Sequence, residues 1–259
     1  MEVPPLAHLT VVLPAVGLLA GTAWQRRWLT WDGALAAWVV GSTVWGLGGP
    51  RWVVVLGVFF ISGTVLTRIG RERKTQPEHR RGGRNALQVV CTGGVGAGVA
   101  TLWSSSLVPD PVRMALYPAF LGSVAAAAAD TWATEVGTLY SRPPRLITTW
   151  QKVPPGTSGG ITLLGTVAGM AGAGLVAATG AWEQPGMAAA VAVAGTLAML
   201  TDSLLGATAQ AVYRHPDGQV TEEPGAGASL VRGLPWLTNP IVNLLAALAG
   251  AWLAALLSR

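Results

Sequence analysis

Eight long apolar stretches divide this chain, and they restrict its fold more than any other feature. A helix needs about 20 apolar residues to cross the hydrocarbon core of a bilayer. Backbone in lipid must satisfy its own hydrogen bonds, and the alternating segments of a membrane β-barrel do not occur. The sequence therefore predicts an all-α, polytopic transmembrane helix bundle of about eight spans. The stretches are 4–24, 31–48, 52–68, 85–103, 112–140, 159–180, 187–212 and 238–257. The stretch at 31–48 is short, so seven spans is the alternative.

Composition excludes a water-soluble domain. Hydrophobic residues make up 51% of the 259 residues and charged residues only 11%, whereas soluble domains carry about 25% charged residues. The twelve tryptophans are expected at membrane interfaces. The connections are too short for a separate domain, so we interpret 1–259 as one transmembrane domain. The first stretch lacks a basic leading segment and is interpreted as a retained span, not a signal peptide.

Basic residues concentrate in alternate connections, and this bias predicts an orientation. Counted with the span edges, fourteen Arg and Lys lie at 25–30, 69–84, 141–158 and 213–237, and three lie on the other side. Cytoplasmic connections carry such an excess, so both termini are predicted outside. The cluster at 68–84 is interpreted as a topology signal, with attraction to lipid head groups second, and not as a nucleic-acid contact.

Three acids lie inside apolar stretches. Burying a charge at the bilayer centre costs at least about 2.5–3.5 kcal/mol, so each acid is a functional hypothesis by default. Asp130 lies about 27 Å along the fifth stretch and Asp202 about 22 Å along the seventh, and both therefore approach the inner edge. Glu135 follows Asp130 on the same helix. The alternative is that each acid is a hydrogen-bonded residue that joins helices.

Further polar residues and glycines collect at the same edge. Gly156, Gly159 and Gly160 allow close backbone approach, and Thr157 or Ser158 is expected to cap the next helix, whose N-terminus attracts phosphate. The alternative is an ordinary capped junction. The residues predicted to bind phosphate or substrate are Arg84, Asn85, Gln88, Lys152, Gly156, Thr157, Ser158, Gly159, Gly160, Asn239 and Asn243.

Carboxylates and phosphates that share Mg²⁺ are the usual arrangement for phosphoryl transfer. The sequence therefore predicts a phosphate site at the inner membrane edge, with Asp130, Glu135 and Asp202 as ligands of a divalent cation. Gly94 with Gly98, and Gly165 with Gly169, are predicted to form small-residue faces for helix packing.

Four segments in this order resemble an integral-membrane family that contains the plant and cyanobacterial phytyl-phosphate kinases. They are GRNALQV at 83–89, ADTWATEVG at 129–137, PRLITTWQKVPPGTSGGIT at 144–162 and TDSLLGA at 201–207. The resemblance extends over about 83–243, and 1–82 form variable N-terminal spans and a basic connection. Ser158 stands where the family pattern has Asn, Thr134 where Ser is commoner, and Thr238 where an acid is more usual.

The resemblance implies a phosphotransferase that converts an isoprenyl monophosphate, such as phytyl phosphate, to its diphosphate. A nucleoside triphosphate, CTP or another, would be the co-substrate and Mg²⁺ the cofactor, with the three acids as catalytic and metal-binding residues. In plants this reaction supplies tocopherol and phylloquinone synthesis. The alternatives are a lipid-phosphate transporter or flippase, another lipid nucleotidyl- or phosphotransferase, and a structural membrane protein. The prenyl chain length, the nucleotide and the oligomeric state are not fixed by the sequence.

Overall fold

Helices make up most of the chain in the computed structural model, which describes residues 6–69, 83–139 and 143–259. Seven of the helices found there are long and apolar enough to cross a bilayer, so the predicted all-α membrane bundle is confirmed. The helices are α1 (Leu6–Gln25), α2 (Trp31–Thr43), α3 (Pro50–Arg68), α4 (Ala86–Ser104), α5 (Asp110–Gly137), α6 (Leu163–Ala181), α7 (Pro185–Thr208) and α8 (Asn239–Leu257).

Five short strands lie in the connections that follow α5 and α7. β1 (Arg145–Leu146) pairs with β2 (Gly160–Ile161) in an antiparallel sheet. β3 (Val212–Arg214) lies between β4 (Val220–Thr221) and β5 (Ser229–Arg232), again antiparallel to both. These segments were predicted only as connections, so the small sheets are an addition to the predicted fold.

The second helix is shorter than the others but still carries the chain from one end of the bundle to the other. α2 has 13 residues and continues into a π-helical turn at Val44–Gly48, so the helical segment extends about 25 Å. The C-terminal ends of α1 and α3 line one cavity, so α2 must run from that end to the opposite one. The chain thus alternates direction through all eight helices, which favours eight passes over the seven that helix length alone gives.

One end of this bundle collects the polar connections. At this end, which we call the polar end, α1, α3, α5 and α7 finish and α2, α4, α6 and α8 begin. Four tryptophans at or beside these helix ends are exposed: Trp24, Trp31, Trp150 and Trp236. Exposed indoles are typical of the membrane–water interface, so the polar end lies at head-group level.

The long helix α5 is the centre of the bundle. Every residue from Pro118 to Ala129 is buried, and α5 packs against α4, α6, α7 and α8. Helices in lipid have no hydrophobic driving force toward one another, so close contact between small residues has to supply the association. The run of alanines at 125–129 allows that approach from several sides of α5 at once.

Two pairs of glycines were predicted to mark packing faces, and only one pair does. A Cβ at Gly169 would lie 2.9 Å from the carbonyl oxygen of Ala129, so the packing role of Gly165 and Gly169 is confirmed. The prediction for Gly94 and Gly98 is wrong, because a Cβ at Gly98 would meet no described atom within 4 Å. The contact face of α4 is displaced, with Gly96 against Phe120. An evenly apolar helix does not reveal its buried face in its sequence.

The α5–α8 contact predicts a strong effect for a single methyl group. A Cβ at Gly122 would overlap the carbonyl oxygen of Gly250 and the side chain of Ala254. We expect Gly122→Ala to lower the stability by about 1–3 kcal/mol through overpacking, measured as a lower melting temperature in detergent. The matched control is Gly98→Ala, which adds a methyl group in open space and should not lower it. Equal melting temperatures for the two variants would contradict backbone contact between α5 and α8.

The orientation of the bundle in the membrane stays a prediction. Leu107 lies in the α4–α5 connection, opposite the polar end, and is 90% exposed, whereas Lys152 is exposed at the polar end. In intact cells, a membrane-impermeant maleimide should label Leu107→Cys, and should label Lys152→Cys only after permeabilisation, because basic connections stay in the cytoplasm. The native Cys91 is buried and serves as the internal control. The opposite labelling pattern would place the polar end outside.

Candidate functional site

A cavity of about 1150 Å³ opens at the polar end, between the helix ends and the two small sheets. Drug-sized ligands occupy pockets of roughly 300–1000 Å³, so this cavity has room for more than one small molecule. Eleven of the 14 residues predicted for the site line it: Arg84, Gln88, Asp130, Glu135, Gly156, Thr157, Ser158, Gly159, Gly160, Asp202 and Asn239.

Three predicted site residues do not line this cavity. Asn85 caps α4, since its side chain accepts a hydrogen bond from the backbone N–H of Gln88 at 3.0 Å. Gln88 Oε1 in turn accepts a bond from the backbone N–H of Asn85 at 3.0 Å. Lys152 is exposed on the connection after α5. Asn243 lies one turn inside α8, and its buried Oδ1 has no hydrogen-bond partner among the described residues.

On one side of the cavity, a buried acid lies beside an arginine. Glu135 is only 6% exposed, and its Oε1 accepts a hydrogen bond from Thr67 Oγ1 of α3 at 2.7 Å. The Arg84 guanidinium lies over the rings of Phe59 and Phe60, 5.6 and 5.7 Å from their centroids. Burial lowers the pKa of Arg84, and the Glu135 carboxylate opposes this shift. Glu135 therefore already interacts with protein partners.

The backbone of Arg84 is fixed by the α1–α2 connection. Its N–H donates to the carbonyl of Trp28 at 3.0 Å, and its carbonyl accepts from the N–H of Thr30 at 3.1 Å. Gly33 approaches so closely that a Cβ there would overlap the Arg84 carbonyl oxygen. Because α1 and α2 hold the backbone, the guanidinium is directed toward α3 and α5. The N-terminal helices thus position a site residue.

The two aspartates come from α5 and α7. Asp202 is 9% exposed, and its Oδ2 is buried without a hydrogen-bond partner among the described residues. Asp130 lies close enough to interact electrostatically with both Asp202 and Glu135. In the ranges that the structure describes, however, no group of three His, Cys, Asp or Glu side chains forms a complete metal site. The three predicted acids therefore share a cavity without converging on one point.

The glycine turn packs against α7 and does not begin a helix. The expected cap at Thr157 or Ser158 is wrong, because α6 begins at Leu163 and Thr162 caps it by accepting from the N–H of Gly165 at 3.0 Å. Strand β2 separates the turn from the helix and forms the short β1–β2 ladder. No charged residue separates Gly159 from the start of α6, so the sequence alone placed the start of the helix before β2.

Gly159 is required where the turn meets α7. Its φ is +78°, and a Cβ would overlap the backbone and side chain of Ala207. The neighbouring Ser158 Oγ accepts a bond from Gln210 Nε2 at 3.3 Å and donates one to Glu222 Oε1. The turn therefore joins α7 to the second sheet.

The sequence interpretation missed this second sheet, which contributes to the cavity wall. Glu222, His215 and Arg232 all line the cavity. Arg232 Nη2 donates to the carbonyl of Gly206 at 2.9 Å, and His215 Nε2 lies 2.8 Å from Thr221 Oγ1. A signal was present, since the connection at 213–237 carries three acids, Asp217, Glu222 and Glu223, against two arginines. Only the basic residues of this connection had been used.

Together, the fold and the cavity define an integral membrane helix bundle with a polar, charged site at one end. The family described as integral membrane protein DUF92 matches residues 14–251. The chain belongs to this family, which confirms the membership inferred from the four motifs. The matched range also includes most of the first three helices, where no motif had been identified.

Individual relatives agree with this assignment. Protein PGR of Arabidopsis thaliana is 29% identical over 285 aligned positions, which cover 100% of this chain and 99% of that protein. An uncharacterized membrane protein of Synechocystis is 31% identical, over 94% of this chain and 88% of its own. Protein VTE6, chloroplastic, of Arabidopsis thaliana is 26% identical, over 89% of this chain and 66% of that protein. No solved structure matches.

The contact between the glycine turn and α7 gives a direct test of the cavity wall. We expect Gly159→Ala to lower the melting temperature in detergent, because its methyl group would displace the turn from Ala207. Gly218→Ala is the control, since Gly218 also has a positive φ, +83°, but open space around it. The two variants share the backbone strain and differ in the overlap. A melting temperature as low for Gly218→Ala would show that strain alone is responsible.

Proposed function

We propose that this protein is a phosphotransferase that converts an isoprenyl monophosphate, such as phytyl phosphate, to the diphosphate with a nucleoside triphosphate. The observation that carries the proposal is the charged cavity at the polar end. Acids of α5 and α7 and the arginine before α4 line it, and exposed tryptophans surround this end. A lipid-borne phosphate and a water-soluble nucleotide meet at this depth of a membrane. The resemblance to prenyl phosphate kinases supports the same chemistry.

The one-sided position of the cavity favours catalysis over transport. A transporter places its site near the bilayer midplane and opens it to both sides in turn. In α5, by contrast, Pro118–Ala129 is buried, and the one hydroxyl of this segment, Ser123 Oγ, donates to the carbonyl of Phe120 at 2.7 Å. This core supports the enzyme proposal over a flippase.

The proposed reaction is a direct transfer. An oxygen of the acceptor monophosphate attacks the γ-phosphorus of the triphosphate and forms a new P–O bond. The bond from the γ-phosphorus to the β–γ bridging oxygen breaks, and the nucleoside diphosphate leaves with its electron pair. The acceptor is already an anion, so positioning and charge stabilisation are sufficient. Arg84 neutralises phosphate charge, and Asn239, at the α8 N-terminus, orients phosphate oxygens.

The side chains present fit a Mg²⁺ ion that is held partly by the substrate. The donors are carboxylates, and the unpartnered Oδ2 of Asp202 is available for a cation. Mg²⁺ in kinase sites is usually bound by one or two carboxylates together with substrate phosphates, so a partial protein ligand set is expected. When bound, it would neutralise the phosphate oxygens during transfer. Asp202 would hold it with Asp130 beside it, and Glu135 would position Arg84.

The activity itself is tested with purified protein in detergent micelles, where transport is impossible. The assay contains Mg²⁺, one nucleoside triphosphate at a time, and phytyl, geranylgeranyl or farnesyl monophosphate. We expect prenyl diphosphate to form with at least one combination, in amounts equal to the nucleoside diphosphate released. Absence of any diphosphate product across the whole panel would reject the proposed function.

Substitution of the two aspartates distinguishes a catalytic role from a structural one. Asp202→Asn removes a buried negative charge and Asp130→Asn a partly buried one, so unliganded stability should hold or rise while turnover falls by about 100-fold or more. The matched control is Asp110→Asn, at the exposed, opposite end of α5, which should retain wild-type turnover. Melting curves and rates are measured on the same preparations. Full activity in Asp130→Asn would reject a role for Asp130 in the reaction.

A further inference from the structure

A second carboxylate, on the connection that follows α7, lies in the same cavity as Asp202. Asp202 interacts electrostatically with Glu222 as well as with Asp130. Both Asp202 and Glu222 line the cavity, and Asp202 is 9% exposed with its Oδ2 unpartnered among the described residues. A buried carboxylate oxygen without a donor is costly, and a cation between the two acids would remove that cost.

Glu222 is held in place by the glycine turn, which packs against α7. Its Oε1 accepts from Ser158 Oγ, and Ser158 in turn accepts from Gln210 Nε2 at 3.3 Å. Gly159, the next residue of the turn, lies directly on Ala207, about one helical turn beyond Asp202. This chain of contacts ties β4 to the helix that carries Asp202, so both acids belong to the same side of the cavity.

Glu135 lies on the opposite side of the site. Its Oε1 accepts from Thr67 of α3, and Arg84 supplies a compensating positive charge. A carboxylate with a hydroxyl donor and an adjacent guanidinium has less need of a metal ion than the Asp202 carboxylate does. Glu135 therefore already has a positive charge beside it, whereas Asp202 keeps a buried Oδ2 without a donor among the described residues.

We propose that Asp202 and Glu222 together hold the divalent cation that accompanies the donor triphosphate, and that Glu222 takes the metal-binding place first expected for Glu135. The inference rests on the proposed function and specifies the metal side of that site. Two carboxylates, with phosphate oxygens and waters, complete the octahedral shell that Mg²⁺ prefers. Ser158 is then a positioning residue, because it orients Glu222. The second sheet becomes part of the nucleotide site.

The test measures binding of the metal and the nucleotide through the melting temperature. Purified protein in detergent is melted with Mg²⁺ alone, with the β,γ-imido analogue of ATP or CTP alone, and with both together. For the wild type we expect stabilisation that needs both components, since binding to the folded state raises the melting temperature. For Glu222→Gln we expect the Mg²⁺ concentration that gives half of this stabilisation to rise by about 10-fold or more. Glutamine keeps an oxygen that accepts from Ser158, so the sheet contact is retained.

The control for this variant is Asp217→Asn, an exposed acid on the β3–β4 turn of the same sheet. It removes the same charge away from the cavity and should keep the wild-type Mg²⁺ dependence. A Glu222→Gln protein with the same Mg²⁺ dependence as Asp217→Asn would overturn the proposal.

A second variant covers the case in which Glu222→Gln does not fold. Glu222→Cys supplies a thiolate, which prefers Cd²⁺ to Mg²⁺. We expect Cd²⁺ to restore nucleotide-dependent stabilisation in this variant and Mg²⁺ not to. A Cd²⁺ response no larger than that of the wild type would overturn the inference.

Failure of this inference can be told apart from failure of the proposed function. If the wild type makes prenyl diphosphate but Glu222→Gln keeps normal Mg²⁺ dependence, only the assignment of Glu222 is wrong. If the wild type makes no diphosphate and binds no magnesium–nucleotide complex, both the proposed function and the metal assignment are wrong.

Discussion

Backbone contact between helices at small residues is the constraint on which the rest of this structure depends. Gly122 of α5 meets Gly250 of α8 at backbone distance, and the alanines at 125–129 continue the same close approach on α5. In lipid such packing has to replace the hydrophobic effect between helices. Because α5 is fixed on several sides, its last turns project Asp130 and Glu135 into the cavity from a rigid support, which is what a catalytic site requires. The site thus depends on contacts about 10–20 Å away from it.

At the polar end the chain leaves the helices, so its backbone N–H and C=O groups need hydrogen-bond partners outside them. The connection 143–162 forms the β1–β2 ladder, and Arg84 binds the α1–α2 connection through two backbone hydrogen bonds. The second sheet supplies backbone hydrogen bonds to the segment between α7 and α8. These ordered connections bring carboxylates and arginines into one cavity without a soluble domain. Loops on a rigid support commonly carry function for this reason.

The sequence predicted the bundle because apolar length and charge asymmetry are local properties that each stretch carries by itself. It also predicted most of the cavity, since intramembrane acids are costly and helix direction determines which ends meet. It did not predict that Asn85 caps α4 or that Lys152 lies outside the cavity, because capping depends on where a helix begins and exposure on how a connection packs. It missed Glu222 altogether, since the contact of Ser158 with Glu222 joins residues 64 positions apart. Polar residues in a connection carry no periodicity that would show which of them turn inward.

The charged side chains of the cavity form two groups on different sides of it. Arg84 and Glu135 lie toward α3 and the α1–α2 connection, whereas Asp202 and Glu222 lie toward α7 and the second sheet. An arginine without metal suits a phosphate monoester, and a carboxylate pair suits a polyphosphate that brings its own cation. The acceptor would then approach from the side of α3 and the donor from the side of the sheet. Asp130 interacts with an acid on each side, so it connects the two groups of charged side chains.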